Sequence, residues 1–212
     1  MSQLPSISVV IPCWGRINGT RSIITNVLNQ TIYNWEAIII GDGCPDFQSL
    51  IDSGEMENFA QRAKNLNSQI IYKNLEEHKG GWGYECLNTA IDLARSKFLI
   101  FAANDDLIYP NHFENYLREI ENTDENVGIV AFRTVLHRKV LPYFTLRIPG
   151  YRLGYIGHSE CIFRTEGIKA APRHLPVYGH DWALIENIVK EQKKELIIII
   201  DNEPTYQVEM RE

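Results

Sequence analysis

Two adjacent carboxylates, Asp105 and Asp106, follow Asn104 at the end of the apolar run 98–102. Side by side they repel each other unless a positive charge lies between them, and a divalent ion with oxygen ligands supplies one. Mg²⁺ or Mn²⁺ uses only one or two carboxylates and completes its shell with phosphate oxygens and water. The pair therefore suits diphosphate binding, whereas capping of a following helix would explain one acid more readily than two. A third acid, Asp42, sits in Gly41-Asp42-Gly43-Cys44-Pro45-Asp46. Glycines there let the backbone approach a ligand, and an acceptor-only carboxylate suits a base N–H or a ribose hydroxyl. Taken alone, the turn reads more readily as a helix cap built from Asp42 and Asp46, and both readings stand at this level.

These acids need strands and helices to position them. Runs rich in Ile and Val at residues 7–11, 37–40, 69–72, 98–102 and 127–132 are nearly continuous in apolar residues, which predicts strands of a sheet covered on both faces. Helical spacing predicts helices over 17–30, 46–65, 83–96, 110–122 and 181–192. Alternating strands and helices give an α/β fold with a mostly parallel sheet, in which ligands bind in the turns beyond the strand ends. The first such turn, Pro12-Cys13-Trp14-Gly15-Arg16, has neither the G-x-G-x-x-G of dinucleotide folds nor the G-x-x-x-x-G-K-[ST] of P-loops. Trp14 reads either as a stacking partner for a base or as a core residue. Trp82 and Tyr84, after Lys79-Gly80-Gly81, read either as an aromatic platform for a sugar or base or as helix packing. The stretch from His137 to Glu160 is rich in Pro, Gly, aromatics and Arg; it predicts a long loop or irregular hairpin, and its part from Tyr143 to His158 an acceptor-side lid.

Composition bounds the rest. The 212 residues predict a single domain over 1–212, with about 1–109 as a nucleotide-binding half and about 110–212 as an acceptor-side half. A formal charge of −6 argues against broad binding to nucleic acid. Cys13, Cys44, Cys86 and Cys161 form no C-x-x-C pair, and the six histidines show no zinc-enzyme spacing, so each histidine reads as a surface or core residue. No apolar run approaches the roughly 20 residues that span a bilayer, and no leader precedes the first strand. The expectation is a cytoplasmic chain whose only membrane contact is peripheral.

The motifs, taken in order, resemble those of the family 2 glycosyltransferases, which have the GT-A nucleotide-sugar-binding fold. Residues 8–16, S-V-V-I-P-C-W-G-R, resemble that family's opening strand and its V-I-P-x-Y-N-R signature, with Trp14 in place of tyrosine. Residues 28–44 are similar to its Q-T-x-x-x-x-E-I-I-V-V-D-D-G-S pattern, with Gly41 replacing the first Asp of the pair. Residues 86–110 follow its helix, strand and metal motif in order and spacing, although Asn104 replaces an opening Asp and only Asn88 remains of an Arg-Asn pair. Gly179-His180-Asp181-Trp182 resembles the acidic segment that carries the family's base.

The resemblance implies a nucleotide-diphosphate-sugar donor, UDP-linked, contacted by Pro12, Trp14, Asp42, Asn88 and Asp105. It implies Mn²⁺ or Mg²⁺ at Asp106, Asp181 as the catalytic base, and inversion at the anomeric carbon. The acceptor would be a hydroxyl on a glycan, a lipid-linked or a protein-linked group. With little chain left for an acceptor lobe, a partner or a second copy is expected to help shape that side. Two rivals remain: an idle sugar-nucleotide or glycan binding module, and a sugar nucleotidyltransferase, for which residues 12–16 lack a basic Gly-rich loop.

Overall fold

The computed structural model describes residues 4–138 and 144–210. Pro142 and Tyr143 of the irregular stretch lie outside the described residues. Strands β1 (Ile7–Cys13), β2 (Glu36–Gly41), β3 (Gln69–Asn74), β4 (Phe98–Phe101), β6 (Val127–Phe132), β9 (Cys161–Arg164) and β10 (Glu195–Ile199) form one sheet, in the order β10-β6-β9-β4-β1-β2-β3. All neighbours are parallel except β9, which runs antiparallel to β4 and β6. A smaller sheet, ordered β5-β11-β7-β8, gathers β5 (Leu107–Ile108), β7 (Thr134–Arg138), β8 (Phe144–Arg147) and β11 (Tyr206–Met210).

The period of two along each strand splits the core into two layers. Val9, Ile11, Ala37, Ile39, Phe98 and Ile100 face one layer, which holds Ile23 and Val27 of α1 (Ile17–Leu28), Phe47 of α2 (Pro45–Asp52), Phe59 of α3 (Glu55–Asn65) and Phe113 of α5 (His112–Glu121). Val10, Ile38, Ile40, Leu99 and Phe101 face the other, which holds Leu87 and Ile91 of α4 (Tyr84–Leu93), Ile168 of α6 (Thr165–Ala170) and Ile185 of α7 (His180–Glu186). Both faces being covered explains why the strands are continuous in apolar residues rather than alternating.

Two expectations change. The helix predicted over 46–65 is two helices, broken where Ser53 ends α2 and Gly54, at φ +77°, starts α3. The helix predicted over 181–192 is α7 followed by a π turn at Asn187–Glu191. Strand β9 was not foreseen: Cys-Ile-Phe-Arg is short and leads directly into α6, so neither alternation nor a turn signal marks it. Within the stretch 137–160, β8 pairs antiparallel with β7, in keeping with the hairpin alternative, and a 3₁₀ turn follows at His158–Glu160. Among the described residues, no helix is long and apolar enough to cross a membrane.

Candidate functional site

Because β1, β2, β3 and β4 are parallel, their C-terminal ends share one edge of the sheet. After β1 the chain adds β2 and β3 on one side, then crosses back to place β4 on the other. A crevice opens where the order reverses, and in open α/β sheets ligands bind there. A cleft of about 640 Å³ occupies this position, walled by the 12–16 turn, Asp42, the 78–83 loop and residues 103–105.

Each wall is fixed by contacts between the strand-end turns. Asn104 Nδ2 donates to the Gly15 carbonyl at 3.3 Å and to Thr20 Oγ1 at 3.1 Å, tying the turn after β4 to the turn after β1. Gly15 and Arg16 both take left-handed backbone, φ 58° and 49°, which points the Arg16 guanidinium onto Asp105 in an ion pair. Asp42 is only 2% exposed. Its Oδ1 accepts from Lys79 N–H and its Oδ2 from Gly80 N–H, both at 2.9 Å, while His78 Nδ1 stands 2.8 Å from Oδ2. The carboxylate thus pins the 78–80 segment to the cleft. The Trp14 indole stacks on the His78 ring, 3.6 Å between centroids at 23°, and is 48% exposed. Of the two sequence readings of Trp14, the core one is therefore excluded. Burial pushes the Cys13 thiol in the cleft wall up to about 12, so it stays protonated and is no thiolate nucleophile at neutral pH.

The structure brings Pro12, Trp14, Asp42 and Asp105 together around the cleft; Asp106, Asn88 and Asp181 are not among its lining residues. Asp106 lies one residue beyond the wall, 9% exposed, with Oδ2 accepting from the Tyr206 hydroxyl at 2.6 Å. Asn88 clamps a different segment: its Nδ2 donates to the His174 carbonyl and its Oδ1 accepts from His174 N–H. Asp181 stands in the first turn of α7, with Oδ1 accepting from Trp182 N–H at 2.8 Å and Oδ2 lying against Gly157.

Beside Asp181 the fold assembles a group that no spacing rule signals. His174 and His180 meet Nδ1 to Nδ1 at 3.0 Å, and His158 lies 5.8 Å from the His180 ring while stacking on Phe101. Two ring nitrogens sharing one hydrogen bond need one donor and one acceptor, so the pair cannot be doubly protonated. Burial, and then the neighbouring imidazoles, depress His158 and His174 to about 3. Burial lowers His180 as well, against the opposing charge of Asp181. Next to them Glu160 is buried and held by Thr134 Oγ1, Arg147 Nε and Gly157 N–H; burial raises its carboxyl above the usual range, with Arg147 opposing.

Other participants were not singled out from the sequence. Arg16 lay inside a quoted motif without a role, and His78 stood alone. Tyr206 comes from β11, a short strand between β5 and β7 far along the chain, where no motif marks it.

The chain is 32% identical over 123 residues to an uncharacterized glycosyltransferase of Rickettsia felis, covering 57% of this chain and 18% of that one. It is 28% identical over 212 residues to a protein of Escherichia coli (strain K12) named for glycosyl transfer in colanic acid biosynthesis, WcaA, covering 88% of this chain and 72% of that one. The chain thus spans less than a fifth of the Rickettsia felis relative, which is much longer. Among solved structures, S. aureus TarS 1–349 in complex with UDP superposes with a TM-score of 0.74 at 14% identity, covering 97% of this chain and 60% of that one. That likeness shows a shared GT-A-type fold. The model of glycosyl transferase family 2 matches residues 8–184, which include every wall of the cleft and the start of α7, and the chain belongs to that family.

Proposed function

We propose that the chain transfers a sugar from a nucleotide-diphosphate sugar, UDP-linked, to an acceptor hydroxyl, with inversion at the anomeric carbon. The observation that carries this reading is the cleft at the strand-order reversal. It presents an exposed indole at one wall and an Arg-paired carboxylate at another. Trp14 offers a face for the base, and the 78–80 backbone held by Asp42 shapes the floor for the ribose. Arg16 and Asp105 meet the diphosphate. In this arrangement Asp42 acts through the loop it pins as much as through direct contact, because two backbone amides already occupy its oxygens.

Among the described residues, no group of three or more His, Cys, Asp or Glu is gathered to hold a metal by itself. Asp105, at the cleft wall, and Asp106, one residue beyond it, would be the residues to hold Mn²⁺ or Mg²⁺ there, one or two carboxylates being the usual protein share of such an ion. Such an ion, when bound, supplies Lewis acidity at the departing diphosphate. The chain's own part is to hold the two carboxylates in place through Arg16 and Tyr206.

An alcohol attacks efficiently only as it loses its proton, so a carboxylate must receive that proton as the new C–O bond forms. In this reading Asp181 serves as that base, with its Oδ1 accepting from Trp182 N–H and its Oδ2 lying against Gly157. The idle-module and nucleotidyltransferase readings gain no specific observation. The test is release of free nucleotide from a panel of UDP- and GDP-sugars, with Mn²⁺ or with excess chelator. Release from a UDP-sugar that stops in chelator supports the reading, and equal release in chelator removes the metal from it.

A further inference from the structure

We propose that Trp82 and Tyr178 form a stacking platform for a saccharide, which makes the acceptor hydroxyl one carried by a pyranose ring. This rests on the reading of the adjacent cleft as the sugar-nucleotide site. Residues Gly80, Gly81, Trp82 and Gly83 all take positive φ, at 66°, 56°, 56° and 75°. Three of the four are glycine, which adopts this region freely; the fourth is a tryptophan, which is strained there. A glycine at position 82 would relieve the strain. Strain of this kind persists only where the surroundings fix it, and it clusters at ligand sites.

The surroundings do fix it. Asp42 holds the Lys79 and Gly80 amides on one side, Gly81 packs on Pro176, and Gly83 packs on Pro12. The loop is thereby pinned between the donor cleft and the segment leading to α7. Yet the indole it presents is 63% exposed, so helix packing does not account for Trp82. Its ring neighbour is Tyr178, which meets it edge to face at 6.3 Å and is 76% exposed. Tyr178 directly precedes Gly179-His180-Asp181. The two aromatics therefore stand between the cleft wall, to which Trp82 belongs, and the turn that carries Asp181.

A strained indole kept in water beside a second ring suits a ligand with a flat C–H face and polar edges. A pyranose has this form: its axial C–H bonds cover one indole, while its hydroxyls point sideways to water, to the Tyr178 hydroxyl and toward the base. The nucleobase has its own ring at Trp14, which lines the same cleft and stacks on His78. An acyl chain would need a continuous apolar channel rather than two rings separated by an edge-to-face contact.

The experiment measures saccharide binding directly, by saturation-transfer NMR and tryptophan fluorescence. The probes are cellobiose, maltotriose and diacetylchitobiose, with phosphatidylglycerol vesicles in parallel and UDP titrated calorimetrically in a separate arm. The variants are Trp82→Gly, Trp82→Phe and Tyr178→Ala. Wild type should bind at least one saccharide. Trp82→Gly should weaken that binding about tenfold while the thermal midpoint holds or rises, because glycine suits the left-handed position. Trp82→Phe should restore part of the affinity. UDP binding without binding of any saccharide overturns the platform and leaves the donor reading standing. Saccharide binding that ignores Trp82, or Trp82-dependent binding of vesicles alone, also overturns it. Trp82-dependent saccharide binding in a protein that ignores UDP and every nucleotide sugar keeps the platform and overturns the donor reading.

Discussion

The Tyr206 hydroxyl donates to Asp106 Oδ2 across 2.6 Å and accepts the Ala103 N–H across 3.2 Å. Strand β11, far along the chain, thereby braces the acidic turn after β4. Burial, and then the Asp106 charge, raise the Tyr206 phenol well above its ordinary range, so it remains a donor at any working pH. A carboxylate braced in this way keeps one oxygen committed and its orientation fixed.

Tyr206→Phe removes the phenol's bonds to Asp106 and to the Ala103 amide. Loss of a hydrogen bond to a charged group costs about 1–3 kcal/mol. The variant should lose about that much in urea unfolding and should also bind a UDP-sugar more weakly in Mn²⁺. Unchanged stability would show that the hydroxyl does not hold the turn.

Asp181→Asn keeps an oxygen to accept from Trp182 N–H but cannot take a proton. Transfer to acceptor should fall by at least about a hundredfold, within the range of general base catalysis, while the calorimetric affinity for donor stays near wild type. Equal loss of binding and transfer would remove Asp181 from the role of base.

His112, His158 and His174 titrate at about 3 in the folded chain, His112 through burial alone opposed by a bond to Thr205. Unfolded imidazole titrates near 6.5. Between these values the unfolded chain binds more protons, so stability is complete above about pH 6.5 and is lost progressively as pH falls toward about 3. Urea midpoints at constant ionic strength should therefore be level from about pH 8 to 7 and decline steadily below about pH 6. A flat profile down to about pH 4 would contradict the buried neutral state of these rings.

Glu36 is fully buried and accepts from Ser8 Oγ, Gln69 Nε2, the Arg95 guanidinium and the Arg95 and Ser96 amides. This carboxylate joins β1, β2, β3 and the entry to β4 at the edge opposite the cleft. Glu36→Ala strands several donors at once and should cost about 3 kcal/mol, read as a lowered urea midpoint with an unchanged slope. A loss within experimental error would mean that solvent replaces the carboxylate.

What the sequence shows of the fold follows from period and order. The continuous apolar runs mark β1, β2, β3, β4 and β6 but were not extended to β10, and helical spacing marks α1, α4 and α5 to within a few residues. β9 escaped because four buried residues between a 3₁₀ turn and a helix carry no periodicity. At the site, the spacing of Trp14, Asp42 and Asp105 relative to strand ends was legible, since parallel strands bring their C-terminal ends to one edge. The partners were not: Arg16 against Asp105, His78 under Trp14, Tyr206 on Asp106 and the three clustered histidines are contacts between distant segments. Asn88 illustrates the converse, a residue picked out by motif whose amide bonds to the His174 backbone, away from the cleft lining.

The central claim is that the cleft between the turns after β1, β2 and β4 holds a nucleoside diphosphate. It is tested most directly by calorimetric titration of UDP, GDP and ADP in Mn²⁺ into wild type, Trp14→Ala and Asp105→Ala. The account predicts that UDP binds wild type and that each substitution weakens it about tenfold. Binding of no nucleotide, or UDP binding that neither substitution alters, would contradict it.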